Sequence, residues 1–226
     1  METLKLVAKD FKQSDSYYKI YIGKTDVSDF QGHIEIEGNL GYCHFDSIKA
    51  TGHIISAAGS GIKAGSGIKA GSGIKAGSGI KAGDGIKAGD GIKAGDGIEA
   101  GDGIKAGSGI KAGDGIKAGD GIEAGDGIEA GDGIEAGDGI KAGSGIKAGL
   151  SITCKLKLNI GLRIFAGLCI WKKPEENETK IICGKLEKGE VCYGTLEEIG
   201  LSEEKQEIVN PKEIVIDGAT YILKEK

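Results

Sequence analysis

The chain has 226 residues, enough for one large domain or two small ones, but 43 glycines and only 5% aromatic residues exclude an ordinary thick globular core. Acidic residues outnumber basic ones 34 to 29, for a net charge of −5, and Arg163 is the only arginine, so direct binding of DNA or RNA through guanidinium forks and basic stripes is disfavoured. Lysines break every apolar run of the opening METLKLVAKDF, and nowhere do 18 apolar residues follow one another, so the expectation is a cytoplasmic protein with no membrane segment.

Residues 1–31 read as an N-terminal β cap, with strands in LKLVA and YYKIYIG around a polar KQSDS turn. A repetitive region follows over residues 32–155, perfect between about 59 and 149. Its unit is Ile-(Lys/Glu)-Ala-Gly-(Ser/Asp)-Gly, and isoleucine stands at 62, 68, 74 and every sixth position to 146, fifteen times in all. Only two slots vary, and they vary between hydrophilic residues. A period of six fits neither a helix of 3.6 residues per turn nor a free-standing alternating strand, and two glycines per unit disfavour a helix by about 1 kcal/mol each. It fits a parallel β-solenoid. Ile-(Lys/Glu)-Ala is then a short strand with Ile and Ala inward and Lys or Glu outward. Gly-(Ser/Asp)-Gly is the corner, where glycine supplies positive φ or close approach and Ser or Asp can bond to nearby backbone N–H groups. A flexible Gly-rich linker is the competing reading, but it gives no reason for isoleucine at a fixed interval. The upstream stretch HIEIEGNLGYCHFDSIKATGHIISAAG carries the same pattern in degenerate form, with Ile34 and Leu40, then Ile48 and Ile54, six apart. The repeat grades in, as a solenoid does and a linker does not.

The outward glutamates bear on how many hexads make a coil. With three, vertical neighbours lie 18 apart, and Glu99 falls between Lys81 and Lys117, Glu123 between Lys105 and Lys141, Glu129 between Lys111 and Lys147, and Glu135 beside Lys117. With two, Glu123 stacks on Glu135, a like-charge pair that costs a few tenths of a kcal/mol. Three hexads per coil are favoured.

Residues 156–226 read as the solenoid end, cap and a β-hairpin tail. SITCKLKLNIGLRIFAGLCIW is dense in large apolar residues and holds Trp171, the only tryptophan, so it is expected to supply the last coils and their lid. KKPEENET reads as a loop, KIICGKLEKGEVCYGTLEEIG as strands, EEKQE as a short helical turn, and EIVIDGATYILKE as a hairpin centred on Asp217-Gly218. The five cysteines, Cys43, Cys154, Cys169, Cys183 and Cys192, are odd in number with no CxxC pair, which points to reduced, partly buried thiols rather than disulfides or a metal site.

The hexad spacing resembles the left-handed β-helix of hexapeptide acyltransferases and the Gly-punctuated solenoids of polymer-forming bactofilins, over roughly residues 30–155. The slot that is small in the acyltransferase motif, four after Ile, is here Asp in nine of fifteen units. Buried carboxylates would be very costly, so this corner must face outward. The Asp-Gly-Ile run also resembles part of the calcium-binding nonapeptide rolls, though its period is six. The acyltransferase resemblance implies a histidine base, for which His33, His44 and His53 are the candidates. In a three-sided coil His33 and His53 sit one above the other. No insertion interrupts residues 59–149 to make a substrate pocket, so no catalytic, cofactor or metal residues are assigned.

Charge is the other lead. Residues 60–81 carry Lys63, Lys69, Lys75 and Lys81 without an acid, whereas residues 84–138 carry nine Asp and four Glu against five Lys, a net of −8. The candidate acidic binding face comprises Asp84, Asp90, Asp96, Glu99, Asp102, Asp114, Asp120, Glu123, Asp126, Glu129, Asp132, Glu135 and Asp138. The expectation is a non-enzymatic structural or protein-binding scaffold, with self-association possible. The alternatives are an acidic inhibitor that imitates a phosphate track, by analogy with pentapeptide-repeat DNA mimics, and an acyltransferase-like enzyme.

Overall fold

A computed structural model describes residues 1–14 and 18–201, together with the backbone of the strands Glu213–Ile216 and Ala219–Ile222. The chain winds into a parallel β-solenoid of about nine turns with a period near 18 residues, giving a rod about 40 Å long at the usual strand spacing. Each perfect hexad contributes one three-residue strand, such as Ile86–Ala88, with the first and third residues buried and the second exposed. Three hexads close a coil. In register, Ile86 stacks between Ile68 and Ile104, Lys87 between Lys69 and Lys105, and Ala88 between Ala70 and Ala106.

The three sides are named here by an outward lysine. The Lys75 side and the Lys69 side belong to one 16-stranded sheet, and the Lys81 side is a sheet of 11 strands. The first two are joined at the C-terminal end by the strand Lys157–Phe165. It bends around a corner and pairs with Ile140–Ala142 through Leu158 and with Ile146–Ala148 through Ile164.

The interior is a column of Ile and Ala, all 0–3% exposed from Ile62 through Ile152, with Ser56 buried in the degenerate coil before it. A buried Ile contributes about 1.5–3 kcal/mol, less than the entropy of ordering its own hexad, so the backbone ladders between coils and the neighbouring coils are needed as well. Those ladders are continuous through the corners: Ile86 N–H donates to Gly103 O at 3.0 Å, Gly83 N–H to Ala64 O at 3.0 Å and Asp84 N–H to Ser66 O at 3.3 Å.

The corners work differently from one part of the expectation. Among the described residues no glycine from Gly61 to Gly149 has positive φ; such residues occur before and after that stretch, as at Asn39, Gly41 and Gly59. From Gly71 onward the first glycine of each corner is there for close approach. A Cβ on Gly83 would lie 1.8 Å from the carbonyl oxygen of Gly65 in the preceding coil, and one on Gly101 would lie 1.8 Å from that of Gly83. At the entry to the repeat, Ser60 Oγ accepts from Leu40 N–H at 2.9 Å and donates to Glu37 O at 2.7 Å; from Ser66 to Ser144, among the described residues, no corner Ser or Asp side chain bonds to the backbone, and the corner amides are satisfied by the neighbouring coil instead. The corner Asp residues face solvent, as the cost of burying them requires.

The ends are less regular. Ile34, Ile54 and Ile74 stack at intervals of 20 and 18 is reached only from Ile74 onward on that side, so the degenerate coils carry two extra residues each. Positive φ at Asn39, Gly41 and Gly59 absorbs them. The strand Glu2–Leu6 lies parallel on Gly32–Ile36, while Phe11–Gln13 and Tyr18–Tyr21 form an antiparallel pair on the Lys81 side, with Tyr18–Ile20 parallel to Tyr42–His44. Lys12 and Gln13 of the expected turn are strand, and Asp15 and Ser16 lie outside the described residues.

The hexad motif stops after Gly149, but the coils do not. Lys180–Cys183 stacks on the strand of Ile152, Lys185–Tyr193 runs beside Lys157–Phe165, and Thr195–Glu198 stacks on Lys180–Cys183. Residues 166–179 bulge out between two of these strands and contain a 3-10 turn, Glu176–Thr179. Of the segment expected to form the last coils and their lid, Ile152–Cys154 and Lys157–Phe165 are strands of the coils, while Trp171 sits on this bulge and is 59% exposed. All five cysteines are free; Cys43, Cys154 and Cys183 are buried, and desolvation pushes the Cys154 thiol up to about 12. The EEKQE segment and the Asp217-Gly218 turn lie outside the described residues, but the strands flanking that turn pair antiparallel, Ile214 with Tyr221 and Ile216 with Ala219.

Candidate functional site

Strand alternation places every second residue of a hexad on a flat side, and the period of 18 stacks those residues into columns. The glutamates land where the sequence places them. Lys81 Nζ meets Glu99 at 2.8 Å and Lys117 meets Glu135 at 3.1 Å on the Lys81 side. On the Lys69 side Glu123 lies between Lys105 at 2.6 Å and Lys141 at 3.5 Å; on the Lys75 side Glu129 lies between Lys111 at 2.8 Å and Lys147 at 3.6 Å. The hydrogen bond from Lys105 holds the Glu123 carboxyl below its usual range, and that from Lys111 does the same for Glu129. Exposed pairs of this kind contribute only about 0–1 kcal/mol each. Their larger effect is local neutralisation.

The nine aspartates are placed elsewhere. They occupy the corners, and the coil period gathers them into three ridges: Asp84, Asp102, Asp120 and Asp138 on one, Asp96, Asp114 and Asp132 on another, and Asp90 and Asp126 alternating with Ser108 and Ser144 on the third. Among the described residues none of the nine is in an ion pair. The thirteen acidic residues singled out from the sequence are therefore divided by geometry. Four are engaged with lysines on flat sides, and nine stand free along edges that run the length of the rod.

Between ridges lie open troughs with glycine in their floors and lysine along them. The trough on the Lys75 side, about 660 Å³, runs from His53 and Ile55 to Phe165; that on the Lys69 side, about 740 Å³, runs from Ser28 and Ser47 past Lys69, Lys87 and Lys105 to Lys141. Near the N-terminal end lysine stacks directly on lysine: Lys69 on Lys87, Lys75 on Lys93 and Lys63 on Lys81. Weighing only Glu–Glu neighbours missed these columns, although writing out every lysine at intervals of 18 finds them.

His33 and His53 do stack, with ring centroids 4.0 Å apart and planes 26° from parallel. His53 N–H donates to His33 Nδ1 at 3.1 Å, so a neutral His33 carries its proton on Nε2, and His53 Nε2 is 3.7 Å from Glu35 Oε1. His44 is apart from them, edge-on to Tyr18 at 5.1 Å, with its pKa lowered by burial first and Lys63 second. Among the described residues no three His, Cys, Asp or Glu side chains converge as a metal-ion cluster, and no helix is long and apolar enough to cross a membrane.

No protein-family model matches the chain. No curated protein matches it, and no solved structure does. The β-solenoid rests on its own register and burial, and the reading of its surface rests on its own charges.

Proposed function

We propose that the chain acts without catalysis, as a rigid β-solenoid scaffold whose aspartate ridges dock a protein with a basic surface. The observation that carries this reading is the division of the acids: the four glutamates of the repeat are matched by lysines of the same rod, while among the described residues the nine corner aspartates are in no ion pair. Free carboxylates repeated at about 4.8 Å on a stiff edge favour a partner that supplies lysine or arginine at matching intervals.

The column Asp84, Asp102, Asp120 and Asp138 also favours a narrower reading, in which the partner's basic surface ordinarily holds nucleic acid and the ridge competes for it. Affinity capture with the full chain tests both. Capture that weakens about tenfold or more between roughly 0.05 and 0.3 M salt, and is lost when the nine aspartates become serine, supports docking through the ridges. Capture indifferent to both rules it out. Competition between the chain and nucleic acid for the captured partner supports the narrower reading, and simultaneous binding of both overturns it.

A further inference from the structure

The corner slot is Ser or Asp in fourteen consecutive hexads, from Ser66 to Ser144, and then Leu in the next three, Leu150, Leu156 and Leu162. Backbone bonds from Leu150 to Asp132, Leu156 to Asp138 and Leu162 to Ser144 place one leucine on each of the three ridges. All three edges thus change from polar to apolar within one coil. Between Tyr42 and Leu156 the described chain exposes no large hydrophobic residue, whereas from Leu156 to Leu201 it exposes eight, among them Leu162 at 64%, Ile170 at 99% and Ile199 at 58%. An apolar collar at one end of a charged rod is the kind of surface that is covered in a stable protein.

The same end has open strand edges. Among the described residues Thr195–Glu198 terminates the 11-stranded sheet and Lys185–Tyr193 pairs with Lys157–Phe165 alone, so each has a strand neighbour on one side. Leu196, stacked above buried Ile181, is 38% exposed because nothing among the described residues lies beyond it.

A second surface in need of a partner belongs to the same chain. Among the described residues the strands Glu213–Ile216 and Ala219–Ile222 pair only with each other, and a two-stranded hairpin by itself is marginally stable at best in water. Leu201 lies at this end of the rod: its Cδ2 is 2.9 Å from where a Cβ of Gly184 would stand, beside Leu156 O. Glu213 follows it in sequence by a length of chain that can span at most roughly 40 Å, about the length of the whole rod.

We propose that the apolar C-terminal end is the docking site of the chain's own strand pair, residues 213–222. In that position the pair covers the last coil and withholds its edges from a second copy of the rod. The inference stands apart from the proposal of a basic partner, since none of the aspartate ridges takes part.

Amide hydrogen exchange on three full preparations tests it: the intact chain, a chain ending at Leu201, and the intact-length double variant Ile214→Asp, Ile216→Asp. Exchange in the shaft, residues 62–148, reports that each preparation is folded. The expected result is that amides of Lys185–Tyr193 and Thr195–Glu198 exchange about tenfold or more faster in both altered chains than in the intact one, with the shaft unchanged. Leu196→Asp in the intact chain is expected to accelerate exchange at 213–222 in return. Equal protection of residues 185–198 in all three preparations overturns the proposal. So does protection that depends on protein concentration in the intact chain, which would assign the surface to a second copy.

Discussion

The shaft, residues 62–149, and the C-terminal end, residues 150–201, are built on one backbone plan with opposite economies of sequence. In the shaft every coil is the same coil, and each slot has one role: Ile and Ala fill the interior, glycine lets the coils approach, and charge faces water. At the C-terminal end the interior is filled by residues used once, such as Leu158, Ile160, Cys154 and Cys183, all 0–1% exposed. The corners there are leucine. The plan therefore needs a buried apolar pair on each side of a coil and a corner that permits close approach; it does not need the hexad. Repetition is what keeps the shaft's surface uniform, and its loss is what lets the end acquire a face of its own.

The largest effect that would break this contrast is expected at the first corner glycine. Gly101→Ala places a Cβ against a backbone oxygen that has no room to move, and should destabilise the rod by about 4 kcal/mol or more, whereas Gly103→Ala, where the nearest atom is 3.1 Å away, should cost only about 1 kcal/mol. Denaturant unfolding of the two variants measures the difference; equal costs would show that the corners breathe. Next comes the interior. Ile116→Ala in the shaft should cost about 3 kcal/mol, against less than about 1 kcal/mol for Leu196→Ala in a chain ending at Leu201, where the leucine is already part-exposed.

Smaller effects sharpen the contrast on the surface. Glu123 and Glu129 have carboxyls held below their usual 4.5 by Lys105 and Lys111. They bind protons more weakly folded than unfolded, so their stabilisation is present above 4.5 and lost as pH falls through the lower folded values. The double variant Glu123→Gln, Glu129→Gln should show a shallower fall in melting temperature between about pH 6 and pH 3 than the parent, by a degree or so. Least of all in stability, serine at Asp84, Asp102, Asp120 and Asp138 should leave the melting temperature unchanged or slightly raised, since each like-charge neighbour costs only a few tenths of a kcal/mol. A marked loss of stability would mean that the ridge carboxylates hold the corners after all.

Most of the shaft is legible in the sequence because its signal is repeated fifteen times: the isoleucine interval gives the strand and the Lys–Glu neighbours give the coil length. The reason for the glycines was not legible, since positive φ and close approach leave the same letter in the sequence. The ends were legible only as strands. Where coils carry extra residues between Ile34 and Ile74, or a bulge at 166–179, no period remains to set the register, and apolar density alone does not separate the partly buried strand Lys157–Phe165 from the exposed Trp171 that follows it. The thirteen acidic residues can be named from the sequence, but their separation into paired sides and unpaired ridges is a property of the triangle, which places a hexad's second and fifth residues on different features.

The near contact between each corner glycine and the oxygen below it has a consequence for how such a rod can change over generations. Gain or loss of three hexads adds or removes one whole storey and leaves every ridge in line. Gain or loss of one hexad turns everything beyond it by a third of a revolution, bringing each aspartate edge against a different one and swinging the leucine collar to a new bearing. Length and orientation are thus set by separate arithmetic, and a change that shortens the rod without disturbing its docking edges has to come in eighteens.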